Sequence, residues 1–151
     1  MSASQFDTLI ELARNSRDQA GLSLANERKN EQQTVAQVES LGRYRQEYAQ
    51  RLQTSMRQGI DPASMYNYQQ FLASLDAALV KARQALAAQQ QRVTQSQQYW
   101  QQEQRKLSSY DTLASRRAAE QQRNEQQREQ KTSDDLVNGR LARRLADTHS
   151  H

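Results

Sequence analysis

Downstream of Pro62, one column of residues spaced by seven reads Met65, Leu72, Leu79, Leu86, Val93, Trp100, Leu107, Ala114. Every member is apolar. Seven residues make almost two α-helical turns, so the column forms one continuous stripe along a helix. A strand buries alternate residues and gains nothing from a period of seven. A second column, Tyr68, Leu75, Ala82, Gln89, Ser96, Glu103, Tyr110, is apolar at both ends and polar between them. A helix with such a seam needs a partner to cover it.

The partner is upstream in the same chain. Residues 5–57 carry a weaker pair of columns: Phe6, Ala13, Ala20, Glu27, Thr34, Leu41, Tyr48, Ser55, and Ile10, Arg17, Leu24, Glu31, Val38, Arg45, Leu52. Between the two patterns stands Gln58-Gly59-Ile60-Asp61-Pro62. Gly59 suits the left-handed residue that closes a helix. Asp61 is an N-cap residue, and Pro62, the single proline, sits at the first helical position, where its missing N–H costs nothing. A connection this short folds the second helix back onto the first. The reading is an all-α, antiparallel two-helix coiled-coil hairpin forming a single domain. Helix 1 is expected at about 5–57, the turn at 58–61, helix 2 at about 62–130, and a polar, mobile tail at 131–151. With the turn centred near Ile60, facing residues have numbers totalling about 120, which sets Trp100 against Ala20, Leu107 against Ala13 and Ala114 against Phe6. Large meets small in each layer, as close packing requires. The middle layers, Glu27 with Val93, Glu31 with Gln89 and Thr34 with Leu86, are polar.

Composition fits a thin seam. Only 35% of the 151 residues are hydrophobic and the mean hydropathy is −1.10, too polar for a thick core. With only 4 glycines and 1 proline, the chain is also unlike most disordered sequences. Ala, Gln, Leu, Arg and Glu dominate, all good helix formers. No apolar run approaches a membrane span, and the first residues do not read as a secretory signal. A cytoplasmic location is the expectation. The net charge of +4 is spread along the chain, without the clustered basic face that nucleic-acid binding uses.

Catalytic and cofactor chemistry has no foothold. Glycines stand at 21, 42, 59 and 139, so neither Gly-rich nucleotide fingerprint exists. Cysteine is absent and the histidines are His149 and His151, which cannot supply the four ligands of a structural zinc or an internal nucleophile and base. The sequence therefore predicts no enzyme activity, no cofactor, no metal and no catalytic residue.

The register does predict a binding surface. Gln37, Leu41, Tyr44 and Tyr48 form one stripe of helix 1, and Phe71, Leu75, Ala78 and Ala82 form one of helix 2 with the same spacing. Facing pairs, such as Tyr44 with Leu75 and Tyr48 with Phe71, place the stripes side by side. Tyr44, Phe71 and Ala78 lie outside the seam columns, and surplus apolar surface on a solvated helix pair marks a partner site.

Three features together resemble the bacterial flagellar export protein FliJ family. They are Leu41-Gly42-Arg43-Tyr44-Arg45-Gln46-Glu47-Tyr48 before the turn, the turn at Gly59-Ile60, and Asn67-Tyr68-Gln69-Gln70-Phe71 after it. The similarity is best from about Glu31 to Gln89. The resemblance implies a soluble component of the flagellar type III export apparatus, similar to the coiled-coil stalk of rotary ATPase γ subunits. It implies that the terminal ends engage the ring of the export ATPase FliI, that the Tyr44–Phe71 flank meets the export gate protein FlhA, and that export chaperones are handled. It also implies peripheral association with the inner membrane at the flagellar base, without direct insertion. The alternative is a generic coiled-coil spacer or a stalk of a related secretion system.

Overall fold

The computed structural model describes residues 2–149, with the side chain of His149 outside that description. Two helices fold into a hairpin: α1, Ala3–Gln58, of 56 residues, and α2, Pro62–His149, of 88 residues. No strand occurs among the described residues.

Helix ends follow local chemistry. Ser2 Oγ accepts from the Gln5 amide at 3.3 Å while Gln5 Oε1 accepts from the Ser2 amide at 2.9 Å. This reciprocal capping box starts α1 slightly earlier than the apolar columns suggest. At the turn, Gly59 has φ of 94°, the left-handed conformation that lets α1 stop. The Asp61 carboxylate accepts from the Ser64 amide at 3.4 Å, and its carbonyl accepts from the Met65 amide at 3.1 Å. Asp61 therefore caps α2. Hydrogen bonds from the Ser64 hydroxyl and then its amide hold the Asp61 carboxyl below its ordinary value.

The chain packs as two compact units. The turn-proximal one, Arg14–Arg105, buries Ala20, Leu24, Leu75, Leu79 and Ala82 in its seam. Trp100 lies over α1 beside Gly21, where an added Cβ would come within 3.3 Å of the indole Nε1. Gly21, rather than Ala20 alone, supplies the space for the ring. The polar layers are also satisfied. Gln89, only 6% exposed, donates its amide to the Glu27 carbonyl at 3.1 Å and to the Glu27 carboxylate, and accepts from Arg92 Nη1 at 3.3 Å. Its partner is Glu27, one turn from the Glu31 that the facing rule selects, because a glutamine side chain spans a helical turn. Among the described residues no large side chain is fully buried, as expected of a two-helix seam.

The terminal unit combines Met1–Ala13 with Lys106–His151. Ala13 and Leu107 are buried in it, and the Arg117 guanidinium lies 5.2 Å from the centre of the Phe6 ring, a cation–π contact. From residue 118 to 148 every position is exposed. The expectation that helix 2 ends near 130 and gives way to a tail at 131–151 differs from the structure. There, α2 continues through His149. Ala, Gln, Glu and Arg dominate this stretch, and one glycine costs a helix only about 1 kcal/mol.

Candidate functional site

The turn-proximal unit holds a cluster of four aromatic rings. Tyr44 and Tyr48 are one turn apart on α1 with centroids 6.4 Å apart. Phe71 on α2 meets Tyr44 edge to face at 6.0 Å and Tyr48 at 4.3 Å. Tyr68 extends the cluster, 5.1 Å from Tyr48, and its hydroxyl lies 3.4 Å from Ser55 Oγ. Rings at these separations attract one another beyond simple burial. Tyr44 remains 45% exposed, while Tyr48, Phe71 and Tyr68 are half-buried.

The eight residues singled out in the sequence divide into two groups. Leu75 and Ala82 are buried, each 7% exposed, so they back the flank from within the seam. Gln37 and Tyr44 are exposed, and Leu41, Tyr48, Phe71 and Ala78 are intermediate. The accessible surface is thus narrower than the set of eight. Arg45, next to Tyr44 in sequence, clamps α1 to α2 through both of its contacts with the Asp76 carboxylate. That bond lowers the Asp76 pKa and raises that of Arg45. The pair bridges the two helices beside the rings, but both side chains are largely exposed, so it adds little to their packing.

Sequence reasoning assigned Tyr68 to the seam and missed its place in the cluster. The signal was available: Tyr68 and Phe71 are three apart and therefore neighbours on one helix face. The Arg45–Asp76 clamp was missed because Arg45 stands in a column otherwise read as seam. The site offers stacking surfaces and phenolic hydroxyls, the chemistry of an interface anchor. Among the described residues, no group of three or more His, Cys, Asp or Glu could hold a metal. His151 and the side chain of His149, the histidines weighed in the sequence, lie outside the described residues.

With this geometry in place, comparison with known proteins assigns the lineage. The family model described as "Flagellar FliJ protein" matches residues 1–146. The chain belongs to the FliJ family. The flagellar FliJ protein of Salmonella typhi is 36% identical over 81 residues, 54% of this chain and 55% of that protein. The flagellar FliJ protein of Escherichia coli strain K12 is 35% identical over 79 residues, covering 52% of this chain and 54% of that protein. The chain thus spans about half the length of the curated relatives it matches. Family membership agrees with the Tyr, turn and Asn-Tyr-Gln-Gln-Phe spacing read from the sequence. Among the described residues of this FliJ-family chain, no helix is long and apolar enough to cross a membrane.

Proposed function

We propose that the chain is a non-enzymatic stalk of the flagellar type III protein export apparatus. It links the export ATPase ring (FliI) to the export gate (FlhA) and handles export chaperones, at the cytoplasmic side of the inner membrane with peripheral association only. Family membership supports the flagellar setting. One observation carries the link to a partner: the ring cluster of Tyr44, Tyr48, Tyr68 and Phe71. A two-helix seam is closed by two positions per heptad, so a half-exposed tyrosine set edge to face against a neighbouring ring is surplus to folding. It is pre-ordered, which lowers the entropy lost when a partner covers it. In this reading Gln37, Leu41, Tyr44, Tyr48, Phe71 and Ala78 touch the gate, and Leu75 and Ala82 hold the flank in shape.

The test is Tyr44→Ala with Phe71→Ala, using Tyr44→Ala alone as the milder variant. Helicity and recovery of the ATPase ring from lysate are expected to persist. Affinity for the gate protein should fall by about tenfold or more, the loss typical of an interface anchor, and motility should fall with it. A double variant that melts the hairpin while gate affinity per folded molecule is unchanged would make these residues core alone. If the intact chain recovers neither ring ATPase nor gate, a simple spacer is the better reading.

A further inference from the structure

Between Arg116 and Asp135 the helix carries no apolar side chain larger than alanine. Then four appear within ten residues, all open to solvent: Leu136 at 61% exposure, Val137 and Leu141 at 52%, and Leu145 at 59%. Val137, Leu141 and Leu145 are spaced by four and share one face of α2. Among the described residues nothing covers them. A solvated helix gains nothing from such a face.

The charges around the face say what covers it. Counting outward from Gly139, the sequence reads Asp134-Asp135-Leu136-Val137-Asn138 on one side and Arg140-Leu141-Ala142-Arg143-Arg144 on the other. Val137 and Leu141 are symmetric about the centre and the outer charges are antisymmetric. Turned end for end, the face is complementary to itself: Asp134 comes level with Arg144 and Val137 with Leu141, while Asp135 and Arg143 lie off this face. Among the described residues, Asp134, Asp135, Arg143 and Arg144 form no ion pair within the chain. A two-fold contact requires this self-complementarity, because one patch must serve both sides. An anionic lipid surface would attract the arginines but repel Asp134, Asp135 and Asp147. A parallel pairing would set acid on acid and base on base.

We propose that residues 134–145 pair, antiparallel and two-fold symmetric, with the same segment of a second copy of this chain. Val137 and Leu141 form the apolar seam, Leu145 flanks it, and the Asp134–Arg144 pairs at its two ends set the direction. A contact of this length falls below the ~1,200 Å² of a stable interface. It is therefore weak, and matters where copies are locally concentrated.

The test is sedimentation of the full chain from about 5 to about 500 µM, the range a small interface demands. The wild type is expected to shift from monomer to dimer. Leu141→Ser, Asp134→Arg with Asp135→Arg, and Arg143→Asp with Arg144→Asp should each weaken the shift by about tenfold or more. All five positions are exposed, and circular dichroism confirms that each variant remains helical. The decisive sample is an equimolar mixture of the two charge-reversed chains, in which dimers should return as mixed pairs. A wild type that stays monomeric, charge-reversed chains that dimerise as before, or a mixture without recovery each overturn the proposal. Binding to phosphatidylglycerol vesicles without self-association overturns it in favour of a lipid surface.

Discussion

Gly59 and Gly139 are the same residue type under opposite constraints. Gly59 holds φ of 94° at the end of α1, where a Cβ would crowd the following carbonyl oxygen at a cost of about 1–2 kcal/mol. Gly139 lies inside α2 with nothing within 4 Å of an added Cβ. There, alanine only removes backbone freedom from the unfolded chain, a gain of about 1 kcal/mol to the local helix. Gly59→Ala should therefore lower the unfolding midpoint of the hairpin, while Gly139→Ala should raise amide protection around residues 136–142 and leave that midpoint unchanged. Thermal melts and hydrogen exchange on the two variants check this, and a matching midpoint loss in both would contradict it. Gly59 was legible in the sequence because Asp61 and Pro62 restart a helix immediately after it. Gly21 was not, because the facing rule resolves layers to about one residue and the indole of Trp100 reaches past Ala20 to its neighbour.

At the scale of the helices, the layout was readable because heptads, caps and turn chemistry all point the same way. The turn, the antiparallel pairing and the polar character of the middle layers came from residue type and spacing alone. Which side chain meets which did not, since a long polar group chooses its partner within a turn. Gln89 shows this, with its amide on Glu27 and its carbonyl oxygen facing Arg92. A buried amide that loses its partner keeps the full desolvation penalty, whereas replacing both groups with apolar ones removes it. Glu27→Leu alone should destabilise the turn-proximal unit by roughly 1–3 kcal/mol, because the buried Gln89 amide loses the carboxylate that accepts from it. Glu27→Leu with Gln89→Leu should be neutral or more stable, since apolar pairs often outperform buried polar ones. Urea unfolding of the two single leucine variants and the double measures the coupling. Strictly additive effects would show that the pair does not act as a unit.

For the whole molecule, the two helices differ in length, and the difference falls entirely in the last part of α2. Phe6, near the start of α1, is matched by Arg117, and from residue 118 to 148 no side chain is buried. The sequence correctly marked where the apolar column ends. It could not show that the helix continues, because composition distinguishes a solvated helix from a frayed tail only through small per-residue preferences. Residues 119–149 are 31 of the 144 that the 56-residue and 88-residue helices hold together. They carry helicity but almost no burial, and burial dominates folding stability. Deleting everything after Ala118 should therefore reduce the far-ultraviolet helical signal by about a fifth, while the unfolding free energy stays within about 0.5 kcal/mol, as for surface changes remote from any core. Chemical denaturation of the two chains at matched low concentration makes the comparison without self-association. A loss of several kcal/mol in the shortened chain would mean that the exposed segment stabilises the hairpin, which its lack of buried side chains argues against.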